Sequence, residues 1–387
     1  MANVYIIRED GGTEPMTRVH CKDEDRELQS ILERNPDLLP GDQIDPEDPR
    51  RWLLVKREMP VPDPNTGSDR WSIDFFFVDQ DAIPTFVECK RFADTRSRRE
   101  VVGQMLEYAA NGPYYWTKET IRNFAEEAGK GKGLTLEEAL RSLQPTDDAS
   151  ADAFFERVQQ NLREGQLRIV FFLEESPMEL RSVVDFLNKQ MERSEVLLVE
   201  ARQYLLGGTR IVVPTLFGYT EEARKVKRSV TVTTAASRRK WDKDSFFADV
   251  RAKLTDAEVQ ALETLYGQTL SLGYQITWGT GTTGGSFNVK EPSMCPRSLL
   301  TVLSNGNLSL NFAWLNGSEQ AERGRERLKE LIAQHAGLKI PDDYSRKWPG
   351  YAIADWGNKV GVILEVLKQL STEFRREMPN IPLQTDR

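Results

Sequence analysis

The sequence predicts an α/β domain, built on a mixed β-sheet flanked by helices, followed by a separate α+β domain. Strand, hairpin and helix patterns alternate from about residue 23 to residue 218, which is typical of folds that pack helices against a sheet. A polar, basic stretch without hydrophobic periodicity then interrupts the pattern at 220–245. The chain has 387 residues, more than one ordinary core needs, so we expect two or three domains.

The domain predicted at 1–219 opens with a helix at 23–34. Its apolar residues have the i, i+3, i+4 spacing of one helix face, acidic residues occupy its start, and Pro36 ends it. The elements expected after it are, in order, a strand at 51–58, a hairpin at 71–92, a helix of about 12 residues ending at Gly112, a helical insertion of three short helices at about 114–165, a strand at 166–175, a helix at 177–191, and strands at 194–205 and 209–218 joined at Gly207 and Gly208.

Residues 220–245 predict a linker that is locally basic in an otherwise acidic chain. Its cations fit either a contact to a DNA backbone or an ordinary solvated linker; they are Arg224, Lys225, Lys227, Arg228, Arg238, Arg239 and Lys240. The α+β domain predicted at 246–387 begins with a long helix at 255–273. Expected after it are a strand at 274–278, a glycine-rich loop at 279–285, a further strand, a hairpin around Asn305 and Gly306, and helices at about 319–335 and 358–375.

Composition excludes several classes of protein. Only two histidines are present, so metal sites or nuclease centres rich in imidazole do not fit, and no GxSxG motif marks a serine hydrolase. The net charge is −8, so any nucleic-acid site must be a local basic patch.

The three cysteines form no CxxC pair, which fits a reducing cytoplasm. No apolar run is long enough to span a membrane and the N-terminus does not resemble a signal peptide, so we expect a cytoplasmic protein without a membrane partner.

The hairpin at 71–92, "WSIDFFFVDQDAIPTFVECKRF", carries charged side chains among apolar ones. A turn at 79–82 gives paired residues an index sum near 162, which sets Asp74 across from Glu88, about 5 Å apart at Cβ. Lys90 lies on the same side as Glu88, because i and i+2 share a face. Two carboxylates this close repel each other unless a cation separates them, and their hard oxygens suit Mg²⁺ or Mn²⁺. A salt bridge at the strand end is the alternative explanation, although Glu88-Cys89-Lys90 is the only Asp/Glu-x-Lys triplet in the chain.

This Asp…Glu-x-Lys hairpin followed by a helix resembles the PD-(D/E)XK, or restriction-endonuclease-like, nuclease superfamily. The resemblance is closest to the RecB-like and mismatch-endonuclease-like branches. The helix "VVGQMLEYA" has the Q-x-x-x-Y spacing of RecB-like members at Gln104 and Tyr108. The stretch "RELQSILERNPDLL", which contains Glu27, is similar to the first helix of the mismatch-endonuclease-like group. The match is strong over about 25–112, weaker over 167–217, and absent after 220.

The resemblance implies a restriction-endonuclease-like sheet and a role for each matching residue. Asp74 and Glu88 would be metal ligands, Lys90 would orient the attacking water, and Glu27 would be an auxiliary acid and metal ligand. Gln104 and Tyr108 would brace the site. The chain departs from the family pattern in two ways. Ile73 stands where the superfamily name has proline, and no upstream histidine ligand is evident unless His20 serves. The arginines that follow the lysine fit contacts to phosphate or a solvated helix start equally well; they are Arg91, Arg96, Arg98 and Arg99.

The function expected from this pattern is metal-dependent hydrolysis of phosphodiester bonds, with DNA as the favoured substrate and Mg²⁺ or Mn²⁺ as cofactor. A role in defence or repair is suggested by the family alone. The competing hypotheses are an RNase and a catalytically inactive module that binds nucleic acid or mediates assembly. The second domain is expected to recognise the target, regulate the nuclease or mediate assembly, and formation of a homo-oligomer stays open.

Overall fold

The computed structural model describes residues 4–8, 11–46, 48–63, 66, 69–91, 98–143, 150–218, 227, 241–279 and 284–376, with the backbone alone at 69, 70, 98 and 99. The chain divides into two compact units. The first comprises Met1–Leu143 and Ala149–Ala236, and the second Gln144–Asp148 and Ser237–Arg387.

The first unit is built on a seven-stranded mixed sheet, with strand order β3-β8-β7-β6-β5-β4 and with β9 also paired to β8. Strands β6, β7 and β8 run parallel to one another, and the other pairs are antiparallel. The strands of the sheet are β3 Thr17–Val19, β4 Leu53–Pro62, β5 Asp69–Val78, β6 Pro84–Lys90, β7 Arg168–Leu173, β8 Glu195–Leu206 and β9 Thr209–Phe217. A separate two-stranded ribbon, β1 Tyr5–Ile7 with β2 Thr13–Pro15, precedes them.

Helices cover both faces of this sheet. The first begins as a π-helical turn, Asp25–Gln29, and continues as α1, Ser30–Arg34. A 3₁₀ turn, Pro36–Leu38, and α2, Gly41–Ile44, follow. The remaining helices of the unit are α3 Arg98–Tyr115, α4 Lys118–Gly131, α5 Leu136–Leu143, α6 Ala151–Arg163 and α7 Met178–Gln190. The three helices predicted for the insertion are therefore present, as α4, α5 and α6.

Strand alternation divides the apolar side chains between two cores. Phe76 and Val78 of β5 point into the core that contains the side chains of α3 to α7. Phe75 and Phe77 of the same strand point into the core closed by α1 and α2. Strand β7, predicted as a central strand, is buried throughout. The mixed sheet flanked by helices that the sequence predicts is therefore confirmed.

Two elements extend beyond their predicted ends. Strand β4 continues through Pro60 and Pro62, which the sequence assigns to a loop; β4 is the last strand in the sheet order, where a missing N–H costs little. Helix α3 continues past Gly112 to Tyr115. A Cβ on Gly112 would lie 2.1 Å from the Trp116 ring, so this glycine makes room for the tryptophan instead of ending the helix.

A buried ion-pair network holds the turn end of the β5–β6 hairpin. Arg168 lies 3.2 Å from the fully buried carboxylate of Asp79 and 2.6 Å from that of Glu195. The Asp79 carboxylate also accepts the backbone N–H groups of Asp81 and Ile83, at 2.8 and 3.0 Å. These bonds define the turn at 79–82 and so fix the register of both strands.

The second unit has a five-stranded antiparallel sheet in the order β10-β11-β12-β13-β14. The strands are β10 Gln275–Trp278, β11 Ser286–Lys290, β12 Ser298–Leu303, β13 Leu308–Leu310 and β14 Gly350–Tyr351. The helices are α8 Lys243–Lys253, α9 Asp256–Ser271, α10 Glu319–Leu331, α11 Ile353–Trp356 and α12 Val360–Arg376.

The boundary of the second unit differs from the prediction in one element. Helix α8 begins at Lys243, inside the stretch assigned to the linker, because the Asp242 and Ser245 side chains form a reciprocal capping box there. The long helix expected at 255–273 and the hairpin around Gly306 are present. Within the described ranges, no helix has the length and apolar character needed to cross a membrane.

Candidate functional site

The β5–β6 hairpin has the register that the sequence predicts. Phe75 pairs with Val87 and Val78 with Pro84, an index sum of 162 in both cases. The next pair in this register sets Asp74 opposite Glu88, beyond the last paired residues. The Asp74 carboxylate accepts the backbone N–H of Cys89 at 2.7 Å through Oδ2. The sequence therefore brings the two carboxylates to the same end of the hairpin.

Asp74, Glu88 and Lys90 form the centre of the candidate site. The Lys90 Nζ lies 2.9 Å from Glu88 Oε1. Asp74 and Glu88 are only 8% and 7% exposed. The second oxygen of Glu88, Oε2, is buried and accepts no hydrogen bond from the described residues. A buried carboxylate oxygen without a donor is costly, and a cation is one ligand that would compensate for it.

Burial and like charge perturb both acids. Burial, and then the charge of Glu88, raises the pKa of Asp74 to about 8. Burial also raises the pKa of Glu88, although Lys90 opposes this effect. Burial lowers the pKa of Lys90, but the carboxylates of Glu88 and Asp74 outweigh it and raise that pKa above its ordinary value. Near neutral pH and without a cation, the pair therefore retains a proton, while Lys90 stays charged.

A fourth charged group, Glu24, reaches this site from the other side. Its Oε1 lies 3.3 Å from Lys90 Nζ, and its Oε2 accepts the backbone N–H of Arg91 at 3.2 Å. Glu24 is not among the site residues predicted from the sequence, although the sequence contains a signal for it. Glu24 precedes the buried Leu28 and Leu32 at i+4 intervals, so it continues the inward face of the first helix.

Glu27, the acid chosen from the sequence, is engaged elsewhere. Its carboxylate accepts the backbone N–H groups of Lys22 and Asp23, and it lies 3.8 Å from Arg210 of β9. The bond from Lys22 is the largest single cause of the lowered pKa of Glu27. Its described contacts therefore hold the loop before the first helix to the sheet, and they do not include Asp74 or Glu88.

Tyr108 faces the carboxylates from helix α3. Its ring is buried, with its centroid 6.3 Å from that of Trp71. Burial, and then the negative charge of Glu88, raises the pKa of the Tyr108 hydroxyl to about 12. Gln104 lies one turn earlier on the same helix and is half-buried, and its described contacts include none to the carboxylates. The structure thus brings Tyr108 to the site and leaves Gln104 without a defined role.

The predicted nucleic-acid contacts are described only in part. Arg91 donates a side-chain N–H to the Lys22 carbonyl. Arg96 lies outside the described residues, and Arg98 and Arg99 contribute only their backbone to the start of α3. In the predicted linker, Lys227 is buried and donates to the carbonyls of Met191 and Ser194. Burial and these two acceptors hold its ammonium group inside the first unit, so for this residue neither a contact to a DNA backbone nor an ordinary solvated linker fits. The other six linker cations lie outside the described residues.

The donor set suits a hard divalent cation, since it consists of carboxylate oxygens. Two observations favour such a fit: the unpaired Oε2 of Glu88 and the raised pKa values of the pair. One weighs against it. In the part of the chain that the structure describes, no three His, Cys, Asp or Glu side chains are grouped closely enough to enclose a metal ion. Asp74 and Glu88 are thus a partial ligand set.

No protein-family model, curated protein or solved structure matches the chain.

Proposed function

We propose that the first unit is a Mg²⁺- or Mn²⁺-dependent nuclease of the PD-(D/E)XK type that hydrolyses phosphodiester bonds, with DNA as the favoured substrate. The observation that supports this most is the buried Asp74–Glu88 pair with the Lys90 ammonium 2.9 Å from Glu88. Buried like charges require a proton or a cation between them. Carboxylates perturbed in this way, by burial and a specific charged partner, cluster at functional sites.

The order of elements supports the same proposal. A helix, the antiparallel strands β4, β5 and β6, helix α3 and then the parallel strand β7 follow one another along the chain. This order is similar to a restriction-endonuclease-like core. The acids lie on β5 and β6, where the superfamily carries its own.

Each residue would have a distinct task. A bound Mg²⁺ or Mn²⁺ would polarise a phosphoryl oxygen and make a bound water more acidic. Asp74 and Glu88 would hold the ion, while Asp74 Oδ2 keeps its bond to the Cys89 N–H. Lys90 is a charged donor at neutral pH, so it would orient the attacking water and stabilise negative charge on the phosphate. Glu24 takes the place proposed for Glu27, because it holds the other side of the Lys90 ammonium.

Two features extend the proposal to the substrate. The Tyr108 hydroxyl stays neutral at physiological pH, so it would brace the carboxylates without adding charge. Arg91 immediately follows Lys90, and phosphate binding by it and by the arginines of the next segment would position a strand across the hairpin end. The second unit would recognise the target, regulate cleavage or mediate assembly.

A second function belongs to a different class: an inactive module that binds nucleic acid on a nuclease fold. The absence of a three-ligand group among the described side chains favours it. A titration with Mn²⁺ by calorimetry separates the two, because the inactive module would show no binding that depends on Asp74 and Glu88. An RNase has the same site chemistry and is separated by the choice of substrate.

The test is incubation with labelled double-stranded DNA, single-stranded DNA and RNA, each with Mg²⁺, Mn²⁺ or EDTA. Asp74→Ala and Glu88→Ala should abolish both cleavage and Mn²⁺ binding. Lys90→Ala should keep Mn²⁺ binding and lower the cleavage rate by about 100-fold or more. Lys130→Ala is the matched control, because Lys130 is an exposed lysine whose described partner is Glu126 on its own helix. Cleavage by both carboxylate variants at the wild-type rate would disprove the proposal.

A further inference from the structure

Helix α7, Met178–Gln190, has an exposed apolar face. The side chains of Met178, Phe186 and Val183 are 70%, 59% and 39% exposed. No other element in the described ranges carries more than two exposed large apolar side chains. Single apolar residues on a surface are ordinary, whereas a group of them marks a site of interaction.

This face lies on the side of α7 that is turned away from the sheet. Leu180 and Val184 are buried in the core on the opposite side of the helix. Met178, Ser182 and Phe186 follow one another at i+4 intervals, so they form one row along the outer side. From the rise of an α-helix, Met178 and Phe186 lie about 6 Å to either side of Ser182 along the axis. The row therefore has a large apolar side chain at each end and a small side chain at its centre.

The polar groups around this row have partners within the chain. The Ser182 hydroxyl donates to the Met178 carbonyl at 3.0 Å. Arg181 is turned towards the sheet, where its guanidinium pairs with Glu200 and lies 3.9 Å from the Phe217 ring centroid. Covering the row would break none of these contacts, so it avoids the cost of burying a polar group without a partner.

The exposed charges at the two ends of α7 are opposite in sign. Glu179 is exposed in the first turn. Lys189 is 58% exposed in the last turn, where its Nζ lies 2.7 Å from Asp185 Oδ2. Two copies of the helix that meet antiparallel bring the last turn of each beside the first turn of the other. Lys189 of one copy then faces Glu179 of the second copy, so this surface is complementary to itself, as an interface with two-fold symmetry requires.

We propose that two copies of the chain associate through α7, with the helices antiparallel and a two-fold axis beside Ser182. Each Met178 then packs against Phe186 of the second copy, a favourable contact between sulfur and an aromatic ring. The small Ser182 at the centre lets the two helices approach closely. One helix provides a small interface, so we expect a weak dimer that depends on concentration. This inference is independent of the proposed function, because it uses no residue of the candidate site.

The first experiment measures association of the whole chain by sedimentation equilibrium, over about two orders of magnitude in concentration and up to about 1 mM. Phe186→Glu should weaken dimerisation by about tenfold or more, because each copy would bury a charge against Met178. Tyr114→Glu is the control, since Tyr114 is an aromatic residue that is 83% exposed on α3. Lys189→Glu should also weaken dimerisation, and the double variant Glu179→Lys, Lys189→Glu should restore it.

The second experiment tests the position of the axis by a disulfide between copies. The three cysteines of the chain are buried, so Ser182→Cys adds an accessible thiol at the centre of the row. Oxidised glutathione should link two copies of this variant into a covalent dimer, because the axis brings the two thiols together. Ser271→Cys is the matched control, since Ser271 is also exposed on a helix, α9, and donates to the carbonyl four residues earlier.

A chain that stays monomeric over the whole concentration range would overturn the proposal. In that case, a lower melting temperature of Phe186→Glu would show that another part of the same chain covers α7. Dimers that persist in Phe186→Glu, or that link no faster through Ser182→Cys than through Ser271→Cys, would place the interface elsewhere and would overturn the proposal as well.

Discussion

Replacing Asp74 by asparagine should make the metal-free protein more stable at high pH. Asn has the same shape, and its amide oxygen can still accept the Cys89 N–H. The substitution removes only the charge that faces Glu88 in a buried site. A carboxylate retained for ion binding is a stability cost to the empty protein, as is common at functional sites.

The magnitude follows from the pKa of Asp74, which rises from 3.8 to about 8 on folding. Between these values the native state holds a proton that the unfolded chain has released, so the stability of the wild type falls as pH rises through this range. At 1.36 kcal/mol for each pH unit, the full loss has a ceiling of about 6 kcal/mol. The effect of the Lys90 ammonium is already contained in this pKa, but water that enters the site compensates part of the charge, so we expect on the order of 3 kcal/mol.

Urea unfolding of the metal-free protein at pH 5, 7 and 9 measures this loss. The free energy of unfolding of Asp74→Asn should exceed that of the wild type only slightly at pH 5, and the difference should grow at pH 7 and again at pH 9. Some pH dependence stays in the variant, since burial also raises the pKa of Glu88. Asp185→Asn is the control, because Asp185 is an exposed acid paired with Lys189 on the same helix. Parallel stability curves for the wild type and Asp74→Asn would refute the reasoning.

Two further predictions concern the first helix and the end of β9. Glu24→Gln should lower the cleavage rate by about tenfold or more without lowering the melting temperature. Glu27→Gln should lower the melting temperature and leave the cleavage rate unchanged, because Glu27 accepts two backbone N–H groups. The reverse pattern would restore Glu27 to the site. Gly218→Ala should destabilise by more than about 2 kcal/mol, since φ is +88° and a Cβ would lie 2.3 Å from Val184 Cγ1. Gly165→Ala, with φ +70° but open space around it, should cost only about 1 kcal/mol, and equal losses in urea unfolding would contradict the steric argument.

The hairpin was predictable because its determinants are local. Alternation sets which side chains share a face, and a short turn sets which residues oppose each other. Asp74 and Glu88 therefore followed from the sequence, as did the register that the structure confirms. The first helix was predictable for the same reason, since its apolar face repeats over consecutive turns.

Other features depend on information that local patterns do not contain or do not decide. The i+4 spacing to Leu28 and Leu32 marks Glu24 as facing inward, but choosing it over Glu27 requires the position of the first helix relative to the sheet, which tertiary packing decides. The left-handed backbone at Glu58, with φ +51°, depends on the pairing of β4 with β5 and is rare for a residue with a Cβ. The prolines at 60 and 62 predicted a loop, and only the position of β4 in the sheet explains why a strand tolerates them.

That same end of β4 also limits how copies of the chain can join. Exposed strand edges invite pairing with another molecule, and proline is one of the devices that prevent it. Pro60 has no N–H to donate, and its carbonyl already accepts the Trp116 indole N–H at 3.0 Å. An incoming strand would find neither a donor nor an unused backbone acceptor at Pro60, and the irregular backbone at Glu58 would interrupt its pairing a short distance away. Sheet extension along this end of β4 is thereby disfavoured, so two copies that associate would have to meet through another surface.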